Sequence, residues 1–396
     1  MARILFVNQS TGTLFIDILN AFAEAGHEVT LFSGRVKKGN RPLNKNIKTI
    51  RGMSYIRKNL VLRFFTWLGF SIVYAVVLIW YKKPDIIFVV TNPPIAPLVT
   101  WLIAGIRRIP YFVLVYDLYP EALVISGIFR ENNAVCRIWK KVNVKVFKGA
   151  WKVFTLSQSM RDSISAYIDI GKIQVIHNWS DGNYIRPVAR DENPFIRSHG
   201  INGKKIVLYS GNMGLTHDLE SVIEAARMLD HVSDLQFIMV GEGGKKGALI
   251  EMARRYNLPN VLFLPYQDAD NFPYAIAAAD IGVVTLDAGA EGIAVPSKTY
   301  TNMAAGLCLL VIAPKASEIS RMVAEYNIGR VCEPGEPTFV ASAIKELIDD
   351  DILLTMYKNN SRKAAGFFTP DNAKEYLRAV EEAYCSICSQ YNSKIT

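Results

Sequence analysis

The feature that most limits what this chain can fold into is an alternation that runs twice along its length. A short, wholly apolar stretch gives way to a turn, then to an amphipathic stretch, then to another apolar run. "RILFVN" (Arg3–Asn8) is followed by a helical pattern, a stop at Gly26 and a second apolar run at Val29–Phe32. Further apolar runs fall at Ile86–Val90, Tyr111–Tyr116 and Val153–Leu156, with helical patterns between them. Strands apolar on both faces, joined through helices, predict a parallel sheet covered on both sides with right-handed crossovers. From Asn178 to Asn202 the pattern breaks into a segment rich in Gly, Pro, Asn and charge, which reads as a linker. The alternation then restarts with "KKIVLYSG" and runs through "LQFIMVGEG", "VLFLPY", "IGVVTL" and "LCLLVIA". The expected class is α/β, with two doubly wound domains in tandem. Ligands are expected in a cleft between them, at the carboxyl ends of the strands.

Composition narrows the partners. Half of the residues are hydrophobic, enough for two large cores, and the formal net charge is +9. That charge favours anionic partners, but it is spread in pairs such as Lys37-Lys38, Lys82-Lys83, Arg107-Arg108 and Lys245-Lys246. No basic tail of the kind that binds nucleic acid stands out, so nucleic acid is not an expected partner. Five cysteines are too scattered for a disulfide framework, and Cys385/Cys388 lack the second pair or the histidine of a metal site. "MARILFVNQS" reads as a first strand rather than a signal peptide. The segment Asn59–Tyr81 is as apolar as a minimal membrane span and has Arg63 and Lys82-Lys83 at its ends. A span there would split the first sheet. The expectation is instead a helix docking on a bilayer through one apolar face, against the alternative of a fully buried crossover helix.

Three strand-to-helix turns carry candidate chemistry. "YSGNMGLTHD" places Gly211, Asn212 and Gly214 where backbone N–H groups could approach a phosphate. "VGEGGKKG" repeats the form and adds Glu242. The first loop, "NQSTGTLF", offers only Gly12 and lacks the GxGxxG of a nicotinamide dinucleotide site. In "DAGAEGIAVPSKTYTNMAAG" a helix is expected to start near Pro296 with Ser297 as its cap. A lysine in the first turn, Lys298, opposes the helix dipole unless an anion binds there, so Lys298 and the helix start are read as a diphosphate site. Glu291, on the preceding loop, would lie near the group attached to the diphosphate. "DAD" (Asp268–Asp270) reads as a helix-capping run rather than a metal motif, and no metal or cofactor is expected.

"EGIAVPSK…MAAG", together with "GNMG" followed by "IEAA", "VGEGG", "HNWSD" and "YDLYPEALV", resembles the donor-site and acceptor-site motifs of family 4 retaining glycosyltransferases with the GT-B fold. The similarity is to the bacterial O-antigen and capsule branch and covers nearly the whole chain. It implies two Rossmann-like domains facing across a cleft. Residues 1–185 would bind the acceptor and 186–370 the nucleotide sugar, with a helix at about 371–390 returning to the first domain. It implies a nucleotide diphosphate sugar as donor, with a UDP-linked N-acetylated hexosamine or a deoxy relative favoured. The acceptor would be a polyprenyl-diphosphate-linked glycan, and the enzyme would sit peripherally on the cytoplasmic face of the bacterial inner membrane.

Residue by residue, the resemblance assigns Glu291 to the sugar and Asp117 and Glu121 to positioning the acceptor hydroxyl. Where relatives carry a ribose-binding acid this chain has Thr301, and where they carry an Arg and a Lys it has Asn212 and His217. Lys298 would supply the missing charge, with His217 and helix N–H groups helping to stabilise the departing diphosphate. Two other readings share this architecture: a nucleotide-sugar epimerase and a catalytically silent partner subunit.

Overall fold

The computed structural model describes residues 1–37, 39–56, 60–214, 217–293 and 295–392; side chains of residue 60 and of 386–392 are not included. Asn59, at the edge of the apolar segment, and the Cys388 thiol therefore lie outside the described residues. The chain divides into two compact units, Met1–His177 with the segment from Pro370 onward, and Asn178–Thr369.

The first unit holds β1 (Arg3–Val7), β2 (Ser10–Thr11), β3 (Glu28–Ser33), β4 (Arg35–Val36), β5 (Lys48–Arg51), β6 (Ile86–Val90), β7 (Tyr111–Leu114), β8 (Val153–Thr155) and β9 (Ile173–Val175). Its helices are α1 (Thr13–Glu24), α2 (Leu60–Trp80), α3 (Ala96–Arg107), α4 (Glu121–Ile125), α5 (Ala134–Gly149) and α6 (Gln158–Ser165). Seven strands form one sheet in the order β5-β3-β1-β6-β7-β8-β9, and β2 and β4 make a separate two-residue ribbon. Every pairing is parallel. Strand order reverses between β1 and β6, which pair Ile4 with Ile86 and Val7 with Val89. Through the centre Phe6 meets Phe22 edge-on and Phe88 at a tilt, and Phe88 stacks on Phe154.

Helix α2 is apolar all round, yet the fold buries only one stripe of it. Trp67, Phe70, Tyr74 and Leu78 recur at helical spacing and face inward. Phe70 and Tyr74 pack on Phe32, and the Tyr74 hydroxyl lies 2.8 Å from Thr100 Oγ1 on α3. The opposite stripe is open: Phe65 is 60% exposed, Ile72 56% and Val76 51%. The fully buried crossover helix considered from the sequence is thus not what forms. A crossover helix rests on the sheet through one face only, and here no described element covers the other. Among the described residues α2 is the one helix long and apolar enough to cross a membrane.

The second unit holds β10 (Lys205–Ser210), β11 (Leu235–Val240), β12 (Val261–Leu264), β13 (Ile281–Thr285), β14 (Cys308–Ile312) and β15 (Gly329–Cys332). Between and around them run α7 (Pro194–Ser198), α8 (Glu220–Met228), α9 (Lys246–Arg255), α10 (Phe272–Ala277), α11 (Lys298–Ala304), α12 (Glu318–Tyr326), α13 (Pro337–Asp349) and α14 (Asp351–Ala364). The parallel sheet runs β12-β11-β10-β13-β14-β15, so its order reverses between β10 and β13. The last helix, α15 (Ala373–Asn392), belongs to the first unit. Its Tyr376 packs against Phe88 and Phe154, and Glu381 reaches His27 at 3.0 Å.

The segment read as a linker is built into the second unit. Asn178 and Trp179 are buried, and the Ser180 N–H donates to Phe368 O at 3.2 Å. Arg362 on α14 donates to the carbonyls of Gly182 and Ile185 and to Ala304 at the end of α11. Arg190 reaches Asp280 at 2.9 Å, where Lys358 (3.0 Å) and the Ile206 N–H (3.0 Å) also converge. Burial alone would raise the Asp280 pKa, but Lys358, Arg190 and the Ile206 N–H together hold it below the usual carboxylate range. The compact unit therefore starts at Asn178, ahead of the break at 185/186 read from the pattern. Polar, proline-rich chain can pack in this way when its backbone carbonyls find arginine donors.

Candidate active site

In an open parallel sheet the carboxyl ends of the two strands flanking the order reversal leave a crevice. In the second unit those strands are β10 and β13, and most of the sequence-selected donor residues follow one or the other. Gly211, Asn212, Gly214 and His217 follow β10; Glu291, Ser297, Lys298 and Thr301 follow β13.

Two side-chain contacts tie these loops together. Lys298 Nζ donates to the Tyr209 hydroxyl at 2.7 Å and sits 3.9 Å from the centre of the Tyr209 ring. The hydroxyl in turn donates to Asn212 O at 2.6 Å. Burial holds the Tyr209 hydroxyl in its protonated form. His217 Nδ1 lies 3.1 Å from Thr285 Oγ1 and 3.2 Å from Thr285 O, at the end of β13. A carbonyl oxygen can only accept, so the proton sits on Nδ1 and Nε2 keeps a lone pair.

The glycines permit the close packing. Gly211 has φ 152°, and a Cβ there would lie 3.2 Å from Lys298 Cε. Gly241, after β11, has φ 139°, and a Cβ would run into Gly211 O at 1.9 Å. The two glycine loops lie side by side, with the Met213 N–H donating to Glu242 O at 2.8 Å and the Lys245 N–H to Met213 O at 3.0 Å.

Electrostatics separate the two candidate cations. Half-buried Lys298 faces no acid among the described residues, and burial pushes its pKa down to about 7. An ammonium held that near neutrality is poised to take up a proton when an anion arrives. His217 is different: burial, then the neighbouring Lys298, lower its pKa to about 4, with the Thr285 hydrogen bond working the other way. At neutral pH it is uncharged. An uncharged His217 leaves the charge-stabilising role expected of the pair to Lys298. With its proton on Nδ1, His217 presents an acceptor, suited to a hydroxyl rather than a phosphate.

Other expectations shift as well. Ser297 occupies the cap position of α11 but makes no capping hydrogen bond, since its backbone is already helical (φ −63°, ψ −21°). α11 is only seven residues long, so its dipole is modest and the charge argument rests on Lys298. Glu242 is exposed and pairs with Lys246 at 2.7 Å. Lys245 pairs with Glu220 at 2.9 Å and donates to His217 O at 2.8 Å, so this basic pair holds loops rather than a ligand. Thr301 is half-buried on α11. Glu291 sits in a half-buried turn and makes no hydrogen bond or ion pair to another described residue. Asp268 accepts from the Asn271 N–H at 2.8 Å and from its side chain at 3.1 Å, which closes the turn ahead of α10, whose own cap position is Asn271. Among the described residues no cluster of metal ligands occurs.

Sequence reasoning missed Tyr209 and Thr285, which look like ordinary strand residues. The available signal was their position at the carboxyl ends of the two strands flanking the reversal.

The first unit carries the rest. Gly12 follows the β2 ribbon, and a Cβ there would meet nothing within 4 Å. Asp117 is exposed at the carboxyl end of β7, its N–H and that of Tyr116 donating to Thr91 Oγ1 at 3.4 and 3.1 Å. Glu121 opens α4; its Oε1 accepts from the Tyr167 hydroxyl and lies 3.6 Å from Lys140, while Oε2 is buried with no hydrogen-bond partner.

Two units, each built on an open parallel sheet among helices, have the α/β architecture of the GT-B class. The model described as Glycosyltransferase Family 4 matches residues 11–182 and that described as Glycosyl transferases group 1 matches residues 191–364. Between them they take in most of the chain, which is a glycosyltransferase built from these two family domains. WbjE of Pseudomonas aeruginosa, by name a probable glycosyltransferase, is 27% identical over 68% of this chain and 68% of its own length. WcaI of Escherichia coli K12, by name a colanic acid biosynthesis glycosyl transferase, is 31% identical over 50% of this chain and 49% of its own. Among solved structures, Alr3699/HepE of Anabaena in complex with UDP-glucose superposes with a TM-score of 0.75 at 18% identity, covering 97% of this chain and all (100%) of that one.

Proposed function

We propose that this glycosyltransferase moves a sugar from a nucleotide diphosphate donor to a lipid-linked glycan in surface polysaccharide synthesis, with retention of anomeric configuration. The donor is UDP-linked, an N-acetylated hexosamine or a deoxy relative. The acceptor is carried on a polyprenyl diphosphate at the cytoplasmic face of a bacterial inner membrane. The reading is supported by one observation above all: Lys298, free of any described acid partner, lies against a glycine loop at the strand-order reversal of the second unit. The UDP-glucose held by the HepE relative and the name of the WcaI relative point the same way.

The chemistry needs few groups. The anomeric carbon–oxygen bond breaks as the nucleotide diphosphate leaves. The acceptor hydroxyl attacks from the same face, and its proton passes to the departing phosphate oxygen. Lys298 neutralises the diphosphate, Glu291 orients the sugar, the Nε2 lone pair of His217 accepts from a sugar hydroxyl, and Thr301 offers a hydroxyl to the ribose. Asp117 and Glu121 position the acceptor. A direct test incubates the protein with nucleotide sugars and a short polyprenyl-diphosphate sugar, followed by mass spectrometry. Transfer supports the reading; an epimerised donor, or binding without turnover, would replace it.

A further inference from the structure

The first unit contains an apolar cavity of about 420 Å³ that the donor chemistry does not use. Its size falls within the roughly 300–1,000 Å³ of small-molecule sites. The walls come from α2, α3, α4 and α5 and from the segment leading into α4. Trp67, Tyr119 and Trp139 form an aromatic floor, Trp67 meeting Tyr119 edge-on at 5.8 Å and Tyr119 stacking on Trp139 at 6.1 Å. Only two lining side chains have hydrogen-bonding heads outside the aromatics, and the protein itself occupies both. Thr91 Oγ1 accepts from the Tyr116 and Asp117 N–H groups, and Asn143 donates to Tyr119 O at 2.5 Å. Little is left to hold a water or to read a peptide backbone, so the space suits hydrocarbon.

Position and charge say which hydrocarbon. Phe64, Val135 and Ile138 line the cavity and are themselves exposed, so it opens to the surface between α2 and α5. α5, which supplies one wall through Val135, Ile138, Trp139, Val142 and Val146, contains five cations and no acid. Of these, Lys141 and Lys145 are exposed, lie three and seven residues past Ile138 on one helical stripe, and have no acid partner among the described residues. An apolar hole beside unpaired cations fits an amphiphile whose head is a phosphate or diphosphate. The wall continues into Leu118, which follows the acceptor-side residue Asp117, and Leu123, two residues past Glu121.

We propose that this cavity binds the hydrocarbon chain of the phosphate-linked acceptor, with Lys141 and Lys145 on its anionic head. The inference rests on the lipid-linked acceptor reading above and adds the place where the chain is held.

The test uses the full-length protein and dodecyl phosphate with a diazirine near the tail, below its micelle concentration. Cross-links are mapped by mass spectrometry. Saturable adducts on Leu98, Ile138, Trp139 or Val142, displaced by unlabelled dodecyl phosphate, are expected. Leu98→Trp and Val142→Trp fill the cavity from opposite walls, and each should weaken labelling at least tenfold. Both should keep transfer to a short, water-soluble acceptor. Adducts confined to Phe65, Ile72, Val76 and Ile79 would mean plain adsorption to the outer face of α2 and would overturn the proposal. So would the absence of saturable labelling in the wild type, including the case in which a protein segment is the natural occupant. Transfer to lipid-linked acceptors without cavity labelling would sink this inference alone. Cavity labelling without transfer to any lipid-linked acceptor would sink it through the reading beneath it.

Discussion

Lys298, Glu291 and His217 sit close in sequence or in space, yet their surroundings give them three different tasks. Lys298 has a pKa of about 7 because burial disfavours its charge, and a bound diphosphate must raise that value. Between pH 7 and the higher bound value, each UDP bound therefore takes up a proton. Affinity should fall as pH rises from 7 to 9, by up to about tenfold per pH unit. Calorimetric titration should show that slope in the wild type and a flat profile in Lys298→Met. The same variant should lose about 1.5–3 kcal/mol of UDP affinity and little uridine affinity, since a charged hydrogen bond is removed. Equal loss for both ligands would remove Lys298 from the diphosphate. Glu291→Gln should abolish most transfer while UDP binding by the same titration stays near wild type; a matching fall in UDP affinity would move Glu291 from the sugar to the nucleotide. For His217, NMR of ring-labelled protein should find titration near pH 4. Because that pKa is lowered, the fold should lose stability as pH falls from 6.5 toward 4, and a midpoint at 6.5 would return the charged role to it.

Among the elements, the strand that starts at Ile281 and the segment before β10 are joined through one buried carboxylate. Asp280 is 7% exposed at its side chain, whereas Arg190 and Lys358 are 41% and 34% exposed. Removing one partner of a buried pair typically costs about 3–5 kcal/mol, and Asp280→Ala should fall at the lower end because both cations can turn to water. Urea unfolding followed by tryptophan fluorescence measures it, and a loss under about 1 kcal/mol would make the cluster a surface feature. Helix α2 shows a similar tie at its C-terminus. Arg107 on α3 donates to the carbonyls of Leu78 and Tyr81, which makes it a helix cap and not a free membrane-facing charge. Its replacement would confound any membrane assay through lost packing between α2 and α3.

Taken as a whole, the molecule carries +9 and an apolar helix face that its own fold leaves uncovered. Exposed cations cluster near that face, on α5 and at Lys82-Lys83. Each near-surface Lys or Arg adds about 1 kcal/mol of attraction to an anionic bilayer. Flotation with anionic liposomes should recover the protein at low salt and lose it progressively as salt rises. Replacing Lys82 and Lys83 by Gln should shift it toward the soluble fraction without changing transfer to a water-soluble acceptor. No association at low salt would refute peripheral docking; association that survives alkaline carbonate would point to a deeper insertion of α2.

The sequence alone determined what depends on local pattern. Apolar runs such as Ile86–Val90 and Leu235–Val240 must be strands buried on both faces, and their alternation with amphipathic stretches allows little besides two parallel sheets. Glycines 211 and 241 marked the turns because only a residue without Cβ lets those backbones approach. The tertiary structure decided everything that depends on which ends meet. Tyr209 became the seat of Lys298, and Thr285 the partner of His217, because the strand order reverses between β10 and β13 and no local signal encodes that neighbourhood. The charge state of His217 was likewise undecided until burial and a second cation 81 residues away in the chain were set beside it. Short weak strands such as Lys48–Arg51 form for the same reason: an already buried neighbour, β3, offers its edge, and pairing supplies what propensity lacks.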